Sequence, residues 1–288
     1  MNAVVDYRVR PAEVSDKPRI ARLIQSSAQV HRHLDWRNPL EWVGFPPFLV
    51  IESKGQIAAA LGCSPDPTSV AWLRLFANSD IIPLKTSWDL LWDFARTELA
   101  QKGEYITAAI VMHEWLRDLL LSSGFTIHQT IVMLERNNGA PVPVASVSDI
   151  SLRPMTRMDL PFVADVDASA FDLLWQNPLT VLERAFPQAE LSTVAEVNGK
   201  VIGYQLSTRN TLGLHLARLA VLPNFQGKGI GCTLVSHLIR QAGKEGVTHL
   251  TVNTQSDNVA SLALYQRLGF HESGERYPVY QFKNIEEK

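Results

Sequence analysis

Three short segments of this chain recur in the same order in its second half, which indicates an internal repeat. Val9-Arg10-Pro11, followed by Asp16, returns as Leu152-Arg153-Pro154, followed by Asp159. Two further segments match in the same order: 36–40 with 175–179, and 119–125 with 264–270. By subtraction of their first residues, the three matches lie 143, 139 and 145 residues apart, close to half of the 288-residue chain. We therefore predict two tandem copies of one domain, 1–136 and 149–288, joined by a polar linker over 137–148.

Local patterns in the second copy alternate between helix and strand. Helices are expected over 159–171, 179–186, 231–243 and 259–268, and strands over 193–197, 201–207, 214–222, 250–254 and 277–282. Asn198-Gly199 stands between two of these strands and is typical of a two-residue hairpin turn. Asp257 or Asn258 is expected to cap the last helix, and Gly269 to end it. This order predicts an α+β fold, a mixed and mainly antiparallel sheet flanked by helices in three layers, built twice.

Composition and charge exclude several classes of protein. The chain is 46% hydrophobic and 19% charged, which is typical of globular domains. A formal net charge of −2 gives no electrostatic reason to bind nucleic acid or an anionic membrane. The sequence has two cysteines, no apolar stretch near the ~20 residues of a membrane span, and no leader-like start. We expect a soluble, cytoplasmic protein, and the sequence leaves its oligomeric state open.

A metal site is not expected. The eight histidines lack the spacing of zinc ligands. His31 and His33 are the nearest to a cluster, and two residues apart on an expected helix they would face different ways.

A glycine-rich loop joins the expected strand 214–222 to the helix that follows it. We call the run Gln226-Gly227-Lys228-Gly229-Ile230-Gly231 the glycine loop. Its glycines allow a tight turn that directs successive N–H groups into one concavity, and the helix dipole adds positive potential there. The loop could also be a plain turn into a helix, but three glycines weaken a helix start, which favours a pyrophosphate site with Lys228 at its rim. The spacing matches neither a dinucleotide-binding fingerprint nor a Walker loop.

These residues resemble the GCN5-related N-acetyltransferases. Leu219-Ala220-Val221 and the glycine loop look like the family's acetyl-CoA signature, Gln/Arg-x-x-Gly-x-Gly/Ala. Residues 258–270 are similar to its second signature, Asn-x-x-Ala-x-x-Leu-Tyr-x-x-x-Gly-Phe, with Ser261 where Ala is common. The resemblance covers about residues 150 to 283, and the first copy resembles the same fold only weakly.

The resemblance implies roles for individual residues. The peptide groups of Leu219, Ala220 and Val221 would align the pantetheine arm of acetyl-CoA, and the Val221 N–H would face the thioester oxygen. Asn258 would also contact the cofactor. Amides from the second residue of the glycine loop to Cys232 would hold the pyrophosphate, so the implied cofactor-binding set is Leu219, Ala220, Val221, Gln226, Gly227, Lys228, Gly229, Ile230, Gly231, Cys232 and Asn258.

Acetyl transfer to an amine also needs proton transfers. Tyr265 resembles the tyrosine that protonates the departing thiolate in this family, although it could simply pack its helix on the sheet. Cys232 is interpreted as a small helix-entry residue rather than a nucleophile, because a bound pyrophosphate would oppose a thiolate beside it. Relatives that acetylate ribosomal-protein N-termini have a Glu where this chain has Asn253. Asn cannot take a proton, so Glu196 and His215 are the candidates for the base, which stays unassigned.

The acceptor side is less defined. Phe171, Trp175 and Phe186 lie in the segment that usually borders the acceptor pocket in this family, and core packing is the preferred interpretation of these aromatics. In the first copy, a strand is expected over 70–76, and the segment 77–85 after it contains no glycine. Since Leu120 also matches Tyr265, the first copy lacks the cofactor residues. Six of the seven tryptophans lie in that copy, which indicates a large packed core or a binding face.

The sequence therefore predicts an N-acetyltransferase with one active site, in the second copy. It would move an acetyl group from acetyl-CoA to an amine of a small molecule or peptide, without a metal. Tandem relatives with an active C-terminal half include the mycothiol synthases. The alternative from another class is a non-catalytic acyl-CoA sensor or interaction module, because no base is evident.

Overall fold

The computed structural model describes residues 7–67, 69–137, 150–211 and 213–284. They form two compact units: unit 1 comprises the described residues of Met1–His128 and Pro278–Lys288, and unit 2 those of Gln129–Tyr277. The expected linker lies outside the described residues, apart from Asn137, which ends a strand. The domain limits drawn from the sequence repeat stay a prediction.

The helices and strands follow the chain in a regular order. The first part contains β1 (Arg8–Pro11), α1 (Lys17–Ser26), β2 (Gln29–Arg32), β3 (Phe48–Ser53), β4 (Gln56–Gly62), β5 (Val70–Trp72), β6 (Leu75–Asn78), α2 (Leu84–Ala100), β7 (Tyr105–Ile110), α3 (Glu114–Ser122) and β8 (Thr126–Asn137). The second contains β9 (Ser151–Pro154), α4 (Leu160–Ala170), α5 (Leu179–Ala185), β10 (Leu191–Val197), β11 (Lys200–Arg209), β12 (Leu214–Val221), α6 (Ile230–Lys244), β13 (His249–Gln255), α7 (Val259–Arg267) and β14 (His271–Asn284). The helices and strands expected in the second copy are all present, with ends shifted by a few residues.

Unit 1 contains a five-stranded sheet in the order β1-β3-β4-β6-β2. β5 pairs in parallel with β7, and the 279–284 part of β14 pairs antiparallel with β7. Alternate residues of β3 face different helices: Phe48 and Val50 share a core with α1, whereas Leu49 and Ile51 share one with α2. Four of the six tryptophans are buried, Trp42, Trp72, Trp88 and Trp92, so they belong to a packed core.

Two expectations for the first copy were wrong. The single strand expected over 70–76 is divided into β5 and β6, because the Leu73 N–H bonds to Ala108 O of β7 while the Arg74 N–H bonds to Gly62 O of β4. His31 lies in strand β2 and not in a helix, with Nε2 3.0 Å from Leu73 O. A four-residue strand gives too short a pattern to identify from sequence.

Unit 2 has the strand order β8-β13-β12-β11-β10-β9, with β14 beside β8. The β10–β11 hairpin turns at Asn198 and Gly199, whose φ angles of 50° and 73° fit the expected turn. Helices cover both faces of this sheet. Tyr204 of β11 bonds to Asp167 of α4, whereas a Cβ on the neighbouring Gly203 would lie 3.5 Å from Leu234 of α6. The α+β fold with helices on both sides of the sheet is therefore confirmed.

Candidate functional site

The centre of unit 2 is a split between two neighbouring strands. β12 and β13 pair in parallel only over 214–216 and 250–252, and no further pairing between them occurs within the residues described. β12 continues along β11, with Ala217 as an extra residue that kinks the strand, while β13 continues along β8. The two strands therefore leave an opening between residues 217–221 and 253–255.

One edge of β12 faces this opening with peptide groups that pair with no described strand. The Leu222 N–H donates to Ile202 O of β11 at 2.9 Å, and main-chain groups alternate sides along a strand. The peptide groups of Ala220 therefore belong to the β11 ladder, and those of Leu219 and Val221 face the split. Gln226 Nε2 donates to Val221 O at 2.9 Å, so the Gln226 side chain fastens the loop to the strand.

A short 3-10 helix, Pro223–Phe225, joins this open edge to the glycine loop. Gly227 and Gly229 have φ angles of 73° and 84°, a region that favours glycine, and the loop is exposed from Gln226 to Gly229. Gly229 begins α6 without a side-chain cap, and its carbonyl accepts the Thr233 N–H at 2.9 Å. The N–H groups of 230–232 therefore have no acceptor within the helix, and they form an electropositive end. Lys228 Nζ lies 5.1 Å from the centre of the Phe225 ring at this end.

Two residues at the start of α6 have a packing role. A Cβ on Gly231 would lie 2.9 Å from Leu264 Cδ1, so this glycine lets α6 and α7 approach closely. Cys232 is 8% exposed and belongs to the apolar core beneath the helix. That burial agrees with its interpretation as a helix-entry residue.

Helix α7 holds both residues of the second motif. Asn258 is the capping residue, because its Oδ1 accepts the Ser261 N–H at 3.1 Å, which leaves its side-chain NH2 group unused by any described residue. Tyr265 is 4% exposed and shares an apolar core with Leu216 and Cys232. Its hydroxyl bonds to none of the described residues, and burial raises the pKa of the phenol. Tyr265 therefore keeps its proton at neutral pH.

The candidate bases have other partners. Glu196 Oε1 accepts from Arg153 at 2.6 Å, in an ion-pair cluster that repeats the pairing of Arg10 with Glu52 in unit 1. His215 Nδ1 lies 2.9 Å from Thr251 Oγ1, and burial lowers the pKa of the imidazole. Asn253 is exposed.

A buried polar network was not anticipated from the sequence. Asp167 is fully buried, and its carboxylate accepts two bonds of 2.7 Å from Arg218, one from the Asn177 N–H and one from the Tyr204 hydroxyl. Arg218 also donates to Trp175 O at 2.6 Å. The network fastens the segment after α4 to β11 and β12. The available signal was an arginine inside an apolar strand, which needs a buried partner, but nothing in the sequence identified Asp167.

A cavity of about 270 Å³ lies beside this segment. Its lining residues come from three places, the start of unit 2, the segment after α4 and the turn between β13 and α7: Gln129, Ala170, Phe171, Asp172, Trp175, Gln255, Asp257 and Asn258. Phe171 and Trp175 are half-buried, so core packing was the wrong interpretation for these two. Phe186 does not line the cavity.

The residues that the structure describes contain no cluster of three or more His, Cys, Asp or Glu side chains that could hold a metal ion. Among the same residues, no helix has the length and apolar character needed to cross a membrane.

Comparison with known proteins agrees with this architecture. Residues 159–270 match the family model of the Acetyltransferase (GNAT) family. Over 107 residues, the chain is 30% identical to the ribosomal protein bS18-alanine N-acetyltransferase of Escherichia coli (strain K12), which covers 33% of this chain and 72% of that relative.

Two solved structures share the fold over nearly the whole chain. A GCN5-related N-acetyltransferase from Sphaerobacter thermophilus matches with a TM-score of 0.63 at 15% identity, over 96% of this chain and 95% of that one. The tandem GNAT protein from the clavulanic acid biosynthesis pathway matches with a TM-score of 0.65 at 14% identity, over 98% and 100%. This chain belongs to the GNAT acetyltransferase family.

Proposed function

We propose that unit 2 is an acetyl-CoA-dependent N-acetyltransferase with an amine acceptor, and that it holds the single active site of the chain. The observation that supports this most directly is the open edge of β12, which one short 3-10 helix joins to the glycine loop. An extended pantetheine arm can pair with such an edge as an added strand would. The helix end that follows suits its pyrophosphate.

The residues fit this cofactor at both ends. The peptide groups of Leu219 and the Val221 N–H would bind the arm, whereas the peptide groups of Ala220 pair with β11 and would contribute only through the strand. Amides over 227–232 and the Lys228 ammonium would hold the pyrophosphate. Gln226 would act by positioning the loop, since its side chain bonds to Val221 O. The unused NH2 group of Asn258 can donate to the cofactor.

The cofactor supplies an acyl thioester. Transfer forms an N–C bond on the acceptor and breaks the C–S bond, so the amine loses a proton and the sulfur gains one. Tyr265 Oη would donate that second proton, because burial keeps the phenol protonated and no described residue competes for it. The first proton has no assigned acceptor, because Glu196 is engaged by Arg153 and Asn253 cannot accept a proton. An amine that reaches the site neutral loses one proton as the amide forms, and a water chain that carries this proton to the Tyr265 phenolate would restore the phenol and close the balance.

The test compares two glycines that have the same backbone strain. Gly227 and Gly246 have φ angles of 73° and 72°, and a Cβ on either meets nothing within 4 Å. Gly227→Asp places a carboxylate in the anion site and should weaken acetyl-CoA binding at least about 100-fold by calorimetry, on the scale of a charge-assisted bond turned into repulsion. Gly246→Asp should lower the melting temperature equally and bind normally.

Near wild-type affinity of Gly227→Asp for acetyl-CoA would remove the loop from the cofactor site. Release of CoA in the presence of a panel of amines separates an enzyme from an acyl-CoA sensor. Tight binding without any amine-dependent release would support the sensor.

A further inference from the structure

The cavity beside the split has a chemical character that the family does not specify. It lies between the segment after α4 and the turn that joins β13 to α7. Gln255 ends the strand that borders the split, and Asn258 begins the helix of Tyr265. Arg218, in the open part of β12, holds the opposite wall through its bond to Trp175 O. An acceptor in the cavity would therefore lie next to the split.

The charged side chains that line the cavity are all acidic. Asp172 and Asp257 are exposed carboxylates that line it, and neither accepts a side-chain bond or ion pair from any described residue. No Lys, Arg or His is among the lining residues. Arg218, which contacts the lining residues Phe171 and Trp175, is neutralised by two bonds of 2.7 Å to Asp167. Two unpaired carboxylates in a concave site attract cations and oppose anions.

The aromatic wall of the cavity is built before any ligand arrives. The Arg218 guanidinium lies 3.6 Å from the centre of the Phe171 ring and covers one face of it. Trp175 Nε1 donates to Gln129 Oε1 at 2.9 Å, and Gln176 Nε2 donates to Phe171 O at 3.0 Å. A wall fixed in this way reduces the entropy lost on binding. It offers aliphatic carbons an apolar surface, and it offers a cation the face of an aromatic ring.

We propose that this cavity selects an acceptor with a second cationic group, and that Asp172 and Asp257 hold that group while the other nitrogen receives the acetyl group. The proposal rests on the proposed transferase function, and it narrows the acceptor to a class: a compact aliphatic diamine or an amine of similar charge. The reacting amine must be neutral to attack, so the carboxylates serve the nitrogen that does not react. A monoamine of equal length lacks that contact.

Binding without the cofactor gives the first test. 1,4-Diaminobutane and 1-aminobutane are titrated into the full chain by calorimetry. The diamine should bind about tenfold or more tightly than the monoamine, the usual effect of one hydrogen bond to a charged group. Asp172→Asn and Asp257→Asn should each remove most of that difference. Asp165→Asn, an exposed carboxylate of α4 outside the cavity, should leave it unchanged.

Transfer kinetics give the second test and separate the two proposals. The ratio of kcat/KM for the diamine to that for the monoamine should fall about tenfold in each of the two cavity variants. If acetyl transfer occurs and this ratio is near one in the wild-type protein, or is unaffected by both variants, the cavity proposal is wrong and the transferase proposal stands. If no amine supports CoA release, the transferase proposal fails, and diamine binding that depends on Asp172 and Asp257 would still support the cavity as a cation site.

Discussion

The most informative comparison in this molecule is between β12 of unit 2 and β6 of unit 1. Arg218 lies within β12 and Arg74 lies directly before β6, and both strands pair antiparallel with the strand before them in the sheet. The second edge of β12 is open from residue 217 onward. The second edge of β6 is filled, because β2 pairs with all four of its residues. A cofactor arm that binds as an added strand, as proposed for unit 2, would have an open edge at β12 and a filled one at β6.

The segments that follow these strands differ in the same sense. After β12, two glycines with positive φ lead to an uncapped helix end. After β6, Ser79 folds back through its N–H and Oγ, which donate to Ala58 O at 2.9 and 2.8 Å, and Asp80 is the next residue. The sequence showed that glycines are missing there. The structure adds that the edge itself is occupied. The two units therefore differ in this backbone edge and in the loop that follows it, and the proposed function assigns the cofactor to unit 2 on that difference.

The largest expected effect is on turnover, and it concerns Tyr265 of unit 2, which corresponds to Leu120 of unit 1. Tyr265→Phe retains the ring and removes the proton donor, so turnover should fall about 10²–10⁴-fold with little change in acetyl-CoA affinity. Steady-state CoA release with calorimetry of the cofactor measures both.

Leu120→Ala provides the matched control, because Leu120 is fully buried and its truncation leaves a cavity. It should lower stability by about 2–5 kcal/mol and leave the turnover of the folded protein unchanged. Full turnover in Tyr265→Phe would return Tyr265 to a packing role.

Arg218 of unit 2 and Arg74 of unit 1 allow a second test of the comparison between the units. Arg218→Met leaves the fully buried Asp167 without its cation, and Arg74→Met does the same to Asp35, whose side chain is 9% exposed. Each substitution should cost about 3–5 kcal/mol in urea unfolding. The double variant Asp167→Asn with Arg218→Met should recover part of that loss, because it buries no unpaired charge.

At assay temperatures well below the melting temperature, only Arg218→Met should also lower kcat/KM. The reason is that Arg218 positions the cavity wall through its bond to Trp175 O. An equal loss of activity in Arg74→Met would contradict the assignment of a single working unit.

The sequence was sufficient for features that depend on local patterns. The Asn198-Gly199 turn, helix α6 and the end of α7 at Gly269 were all predicted, because each follows from backbone preference or helical periodicity. Features that depend on distant pairing were not. β2 pairs with the edge of β6 although the paired residues lie at least 43 positions apart in the sequence. Arg218 bonds to Asp167, which lies 51 positions away. The cavity wall depends on the bonds between Arg218 and Asp167, which the sequence did not reveal. Its aromatic residues, Phe171 and Trp175, were therefore interpreted as core.

The smallest expected effect tests how far the two units remain alike, through their twin ion-pair clusters. Arg10 with Asp16 and Arg153 with Asp159 make two bonds each, at 2.6 to 2.9 Å and at 2.7 Å. These bonds lower the pKa of both aspartates from 3.8 to about 2. A lowered pKa contributes stability that is present above the unfolded value and is lost as pH falls through the folded value.

Asp16→Asn and Asp159→Asn should therefore each lose about 1–3 kcal/mol at pH 7, the usual range for a hydrogen bond to a charged group. The difference from wild type should begin to shrink below about pH 4 and be mostly lost at about pH 2, where half of the native carboxyls are protonated. Urea unfolding at intervals from pH 2 to 7 measures this difference. The Asp16 variant should lose at least as much as the Asp159 variant, because Arg19 makes a further bond of 3.1 Å to Asp16. A loss that stays constant over this range of pH would mean that these aspartates stabilise the units by shape rather than by charge.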